Sequence, residues 1–255
     1  MKNLPPNLFK RAVLERRMQL GLWCSLCSNV AAEVTAGSGF DWLLIDTEHA
    51  PNELPMVFSQ LQALTGGTAA PVVRPAWNDT VLMKRLLDIG VQNFLVPYVQ
   101  TVEEARAAVA ATRYPPQGVR GVAVTHRGND YGRFQDYFAR ANDEICVLLQ
   151  IETRVALNNL DAIAAVEGVD GLFIGPSDLA AALGHLGNYG HPDVRAAIED
   201  AFRRIQKAGK APGILAPLEA DARHWLSQGC VVLAVGSDAG LLARHSEALA
   251  AKFRK

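Results

Sequence analysis

Polar side chains gather at the ends of four short apolar runs. Leu43-Leu-Ile-Asp46-Thr-Glu48-His49 ends in two carboxylates and an imidazole, and Val73-Arg74-Pro75 in a guanidinium. Leu149-Gln150-Ile-Glu152 supplies an amide and a carboxylate, and Phe173-Ile-Gly-Pro-Ser177-Asp178 a hydroxyl and a carboxylate. Taken singly, each has an ordinary structural use. Asp46 can shape a turn, Asp178 can cap a helix, His49 can sit in a surface loop, and Arg74 can pair with any neighbouring acid. Taken together they describe a reaction. Glu152 and Asp178 are hard oxygen donors without any His or Cys motif of zinc spacing, a set that suits Mg²⁺, Mn²⁺ or Co²⁺. A 2-oxo acid can chelate such an ion, which as a Lewis acid stabilises the enolate formed when a C–C bond beta to the carbonyl breaks. Arg74 adds positive charge near the developing oxyanion, and His49 can move the proton.

The competing route through a Schiff base needs a buried lysine in a strand. The lysines are Lys2, Lys10, Lys84, Lys207, Lys210, Lys252 and Lys255, and none falls in a strand-like run. Cys24 and Cys27 form a C-x-x-C, but it lies in a strand-like run, Gly21–Leu26, rather than at a helix start. They read as packed or incidental thiols.

These groups converge only if the right scaffold carries them. Eight apolar runs recur, at 21–26, 42–46, 71–74, 93–97, 145–151, 171–174, 212–215 and 231–235, with helical patterns between them. Asn78 is the expected cap of a helix with Val81, Leu82, Leu86 and Ile89 on one face. Thr101 and Glu104 have the spacing of a capping box, and Val194, Ala197, Ile198, Ala201, Phe202 and Ile205 make an amphipathic stripe. Strands buried on both faces and alternating with helices imply parallel pairing. The expected fold is an α/β single-domain (β/α)₈ barrel over residues 1–255, in which strand C-termini carry the reacting groups. Residues 114–144 are irregular except for a short helix expected near Asp136–Arg140. The chain has 25 Lys and Arg against 26 Asp and Glu, a balance that argues against nucleic acid or anionic membrane as partner. The absence of a long apolar run argues against a membrane span, and the expected location is the cytoplasm.

With those residues in view, the sequence resembles the HpcH/HpaI aldolase family of metal-dependent (class II) pyruvate aldolases. The blocks that carry the resemblance are Leu44-Ile-Asp-Thr-Glu-His-Ala-Pro51, Val73-Arg-Pro75, Leu87-Asp-Ile-Gly90, Tyr114-Pro-Pro-Gln-Gly-Val-Arg-Gly121, Gln150-Ile-Glu152 and Asp170-Gly-Leu-Phe-Ile-Gly-Pro-Ser-Asp-Leu179. It implies reversible cleavage of a 4-hydroxy-2-oxo acid to pyruvate and an aldehyde. Glu152 and Asp178 would ligate the metal, Arg74 would bind the keto oxygen, and His49 would be the acid/base with Asp46 close by. Gln150 would lie near the substrate, with the backbone at Ser177 and Asp178 receiving the carboxylate. The family's acid associated with the catalytic histidine corresponds to Asp88. Here Asp88 falls at the end of a helix running away from the rim, so it would have to act in a neighbouring subunit of a homo-oligomer, by resemblance a hexamer built from trimers. Oxaloacetate decarboxylation, cleavage of an acyl-CoA substrate, and a binding protein that has kept the barrel and lost the chemistry are the rival readings.

Overall fold

The computed structural model describes residues 2–254, so Met1 and Lys255, the ends of the expected domain, lie outside the described residues. Eight strands, β1 (Gln19–Cys24), β2 (Trp42–Asp46), β3 (Ala70–Arg74), β4 (Asn93–Val96), β5 (Cys146–Ile151), β6 (Gly171–Ile174), β7 (Ala211–Leu215) and β8 (Val232–Ser237), pair in parallel and close into a barrel in sequence order. The helices are α1 (Leu8–Leu14), α2 (Asn29–Ala36), α3 (Leu54–Ala63), α4 (Thr80–Asp88), α5 (Val102–Thr112), α6 (Tyr137–Arg140), α7 (Arg154–Ala164), α8 (Pro176–Ala182), α9 (Pro192–Lys207), α10 (Glu219–Ser227) and α11 (Asp238–Ala251). The expected (β/α)₈ barrel is therefore borne out.

Alternation along each strand divides the core in two. Trp23, Trp42, Leu44, Val72, Leu95, Leu148, Phe173 and Ala234 fill the barrel, with Phe9 and Val13 of α1 packed against them. Leu43, Ile45, Val73, Phe94, Leu149, Leu172 and Leu233 point outward to the helices. Three inner rings interlock, with Trp23 centroids 5.9 Å from Trp42 and 5.7 Å from Phe173. Gly21 makes this possible, since any β-carbon there would run into the Trp42 ring. In α9 the residues Val194, Ile198, Ala201, Phe202 and Ile205 are buried, and each of the larger ones contributes roughly 1.5–3 kcal/mol over exposure.

Several boundaries differ from expectation. β1 ends at Cys24 rather than Leu26, because the Ser25 and Leu26 N–H groups donate to the Asp238 carboxylate instead of a neighbouring strand. Asp79, not Asn78, caps α4, accepting the Val81 and Leu82 N–H groups, while the Asn78 amide donates to the Glu104 carbonyl. The buried face of α4 is accordingly Met83, Leu86 and Leu87, and Val81 faces solvent. The capping box at Thr101 and Glu104 is present. The irregular 114–144 segment contains a 3-10 turn at Arg127–Gly132 as well as α6, and it folds against the N-terminal residues. The Asp136 carboxylate accepts the Leu4 N–H at 2.7 Å and Glu144 that of Asn7 at 2.6 Å.

Candidate active site

Arg74 organises the mouth of the barrel. In the β2–β3 ladder Asp46 lies directly beside it, a register that places both at the strand C-termini. The guanidinium donates to Asp46 through Nε at 2.9 Å and Nη2 at 2.6 Å, a fork-on-carboxylate pair, with both side chains buried. Nη1 reaches Glu48 at 2.9 Å and Gln150 Oε1 at 3.5 Å. Trp23 lies under the plane, 5.5 Å from its ring centroid. Burial works to lower the Arg74 pKa, but the hydrogen bonds and charge of Asp46, with Glu48 and Glu152 behind it, raise it overall. Asp46 also accepts the backbone N–H groups of Glu48 at 3.0 Å and His49 at 3.4 Å. The same carboxylate thus fixes the arginine and shapes the loop that presents the histidine.

His49, Arg74, Gln150, Ser177 and Asp178 line one cavity of about 350 Å³, together with Trp23, Phe173, Gly175, Pro176 and Leu215. Ser177 and Asp178 belong to the first turn of α8, whose N-cap Gly175 offers no side-chain acceptor. Their backbone N–H groups, lacking intrahelical partners, are suited to an anionic oxygen. Glu152 stands just behind, at the end of β5. Its Oε1 accepts the Tyr98 N–H at 2.8 Å and its Oε2 accepts from the Gln150 amide. Tyr98 holds φ 56°, a strained value for a side chain of its size, which goes with the aim of its N–H at Glu152. A β-carbon on Gly175 would collide with Glu152 and Gln150, so only glycine lets α8 approach this carboxylate.

Burial is the main cause that lifts the Glu152 pKa to about 7; the two hydrogen bonds oppose it, and the nearby Asp178 and Glu48 charges push it further. Glu48 is raised by burial as well, partly offset by Arg74 and His49. A buried carboxylate repelled by two other acids has the electrostatics of a cation site. Glu152 and Asp178, all-oxygen donors beside a cavity open to a small acid, fit a divalent ion of the magnesium or manganese kind.

The candidate residues therefore assemble, with one exception. Asp88 ends α4 at the opposite end of the barrel, where it pairs with Arg120 at 3.3 Å. Glu48, Trp23, Phe173, Leu215 and the Tyr98 backbone are additional participants. Glu48 shares the Asp-Thr-Glu-His run with Asp46 and His49, and the structure gives it a place between Arg74, at 2.9 Å, and the imidazole Nε2, at 3.9 Å. No described lysine stands in a barrel strand. Cys24 is buried and its thiol pushed up to about 12 by burial, as expected of a packed cysteine. Asp238, at the start of α11, accepts the Ser25 and Leu26 N–H groups at 2.9 and 3.2 Å.

A closed parallel barrel with carboxylates, arginine and histidine at its C-terminal mouth defines a class of lyase barrels, and comparison with known proteins narrows it. The model of the HpcH/HpaI aldolase/citrate lyase family matches residues 19–245, and the chain belongs to that family. It is 54% identical to the 5-keto-4-deoxy-D-glucarate aldolase of Shigella dysenteriae serotype 1 (strain Sd197), over 98% of each chain. Among solved structures it is similar to an HpcH/HpaI aldolase/citrate lyase family protein from Burkholderia cenocepacia J2315, with a TM-score of 0.95 and 39% identity over 98% of this chain and 100% of that one. The citrate synthase SbnG superposes with a TM-score of 0.86 at 28% identity, covering 95% and 96%. The expectation of an enzyme, a carbon–carbon lyase of aldolase type, is borne out.

Proposed function

We propose that the protein cleaves a 4-hydroxy-2-oxo acid of the 2-keto-3-deoxy sugar acid type, reversibly, to pyruvate and an aldehyde, and that 5-keto-4-deoxy-D-glucarate, the compound in its relatives' name, is the first substrate to try. The observation that carries this reading is Arg74, locked by Asp46 and Glu48 and aimed with His49 and Asp178 into one small polar-mouthed cavity. Arg74 holds the keto oxygen and balances the charge that develops on it. The N–H groups of Ser177 and Asp178 take the carboxylate, and Gln150 links Arg74 to Glu152 so that both stay oriented. Glu152 and Asp178 hold the divalent ion (Mg²⁺, Mn²⁺ or Co²⁺), which supplies Lewis-acid stabilisation of negative charge on the substrate's oxygens. His49 takes the C4 hydroxyl proton, the C3–C4 bond breaks, its electron pair enters the C2–C3 bond as the enolate forms, and the aldehyde leaves. A proton delivered to C3 completes pyruvate.

A homo-oligomer, with Asp88 acting beside the His49 of a neighbouring subunit, belongs to the same proposal. Support comes from α11, whose Leu241, Leu242 and Leu249 are uncovered in the single chain. The sedimentation mass of the intact protein tests the hexamer. For the chemistry, exchange of pyruvate methyl protons into D₂O is followed by NMR with chelator and then with Mg²⁺ or Mn²⁺. Metal-dependent exchange that disappears in Asp178→Ala supports the reading, and no exchange with any of these metals overturns it. Turnover of 5-keto-4-deoxy-D-glucarate then tests the aldehyde side.

A further inference from the structure

On the same rim of the barrel as the mouth but outside its cavity, the turn between α8 and α9 gathers two imidazoles and a carboxylate. The chain reverses at Gly184 (φ 90°) and Gly187 (φ 78°), and consecutive backbone bonds, His185 N–H to the Ala180 carbonyl, Asn188 N–H to His185 and His191 N–H to Asn188, hold the turn closed. His185 and His191 are thereby stacked, ring centroids 3.5 Å apart and planes 14° from parallel. Both address one atom, Oδ2 of Asp193, His185 Nε2 at 3.4 Å and His191 Nδ1 at 3.7 Å. Asp193 has no lysine or arginine as ion-pair partner among the described residues, since neighbouring Arg195 is taken by Asp221 at 2.6 Å.

We propose that His185, His191 and Asp193 form a second divalent-cation site, built for a borderline ion such as Zn²⁺ rather than for the hard ion suited to the mouth. All three ligand atoms lie within 4.8 Å of one another, the only such trio among the described residues. Bonds of about 2.1 Å to a tetrahedral ion place ligand atoms roughly 3.4 Å apart, which is close to both distances to the Asp193 oxygen. Imidazole nitrogen favours zinc, nickel or copper over magnesium, so the two sites of one chain differ in ligand softness. Binding requires the stack to fan open until the lone pairs converge. Both rings are partly exposed and can turn, and the bond that must yield, Asp193 N–H to His191 Nδ1, is a long 3.2 Å. With Pro192 opening α9, the helix start survives that loss. Occupancy ties the end of α8 to the start of α9.

An ordinary helix cap with a stacked pair of rings would look the same in the empty state, so the experiment counts ions. Zn²⁺ bound per chain is measured by equilibrium dialysis and elemental analysis on the full-length protein, its His185→Ala and Asp193→Asn variants, and an Asp178→Ala, Glu152→Ala double variant. The expected result is two ions in the wild type, and one in each of the other three. In His185→Ala and Asp193→Asn the weaker ligand set loses at least tenfold in affinity. Asp193→Asn preserves shape, and circular dichroism melts confirm that all variants are folded. Zn²⁺ binding unchanged in both His185→Ala and Asp193→Asn overturns the proposal. A failure of the mouth assignment reads differently, as an unchanged count in the double variant alone.

Discussion

Two buried arginines, one at each end of the barrel, are satisfied to very different degrees. Arg74 at the mouth has a carboxylate forked on two of its nitrogens and a second carboxylate with an amide on the third. Arg120 at the base is fully buried, yet it makes one 3.3 Å contact to Asp88 and one 2.9 Å bond to the Tyr137 hydroxyl, both through Nη2. Its Nε and Nη1 have no hydrogen-bond partner, and neither has either ring nitrogen of His126 nearby. The Tyr114 ring, 4.3 Å from its guanidinium carbon, covers it instead. The closed network is complete within one chain and can be preorganised for catalysis there. The open one leaves Nε and Nη1 without a protein partner in the single chain, so its own chain satisfies Arg120 far less than Arg74. Asp88, at the far end of α4, stands with Arg120 at the base and not at its own chain's mouth.

The largest effects should come from the mouth. His49→Ala is expected to reduce the exchange and cleavage rates about 10²–10⁴-fold while leaving metal affinity nearly intact. Glu152→Ala or Asp178→Ala should instead lose metal first, measured by calorimetric titration with Mn²⁺. Unchanged metal binding in both would sink the ligand assignment. Arg74→Ala removes the keto-oxygen partner and also strands Asp46, which is 2% exposed. It should cost about 3–5 kcal/mol of stability in denaturant melts besides its catalytic loss. A loss below 1 kcal/mol would erase the difference between the two arginines.

Proton linkage sharpens the contrast further, because the ends respond to pH in opposite directions. Burial raises Glu152 to about 7 from an ordinary 4.5, so with chelator present the folded chain binds a proton that the unfolded chain has released. Stability from this group is full below about pH 4.5 and is lost as pH rises through 7, on the order of 3 kcal/mol in all. At the base, burial lowers His126 below its ordinary 6.5, with Asp88 opposing and Arg120 reinforcing the shift. Its contribution is present above pH 6.5 and is lost as pH falls. Melts across pH 4–8 should therefore flatten on the alkaline side in Glu152→Gln, and an unaltered profile there would show that Glu152 is not the group held neutral.

Most of the mouth is legible in the sequence because a parallel barrel turns a one-dimensional question, which polar residue ends each apolar run, into a three-dimensional one. Asp46, Arg74, Gln150, Glu152 and Asp178 all answer it. What escapes is set by backbone detail and by contacts between distant segments. The φ of Tyr98, which delivers an N–H to Glu152, has no signature in Val96-Pro97-Tyr98. The cap of α4 shifts by one residue because Asn78 and Asp79 compete for it and the carboxylate is the stronger acceptor for two adjacent N–H groups. Trp23, Phe173 and Leu215 read as plain core residues until β1, β6 and β7 bring them to one cavity. The base cluster joins α4 to a segment more than 30 residues on, Arg120 to Tyr137, that carries no periodic pattern at all.

The smallest expected change in stability is also the most discriminating. Arg120→Met keeps the volume and apolar stem while removing a buried charge whose donors are largely unmet. Asp88 is partly exposed and can be hydrated when its partner goes. The substitution should thus be close to neutral in the melt, within about 1 kcal/mol, unlike Arg74→Ala. Activity should nevertheless fall if Arg120 holds Asp88 for a neighbouring subunit's His49, with the sedimentation mass of the assembly unchanged. Full activity with normal assembly would leave Arg120 a packing residue, and a loss of more than 3 kcal/mol would mean that the base network is as complete as the one at the mouth.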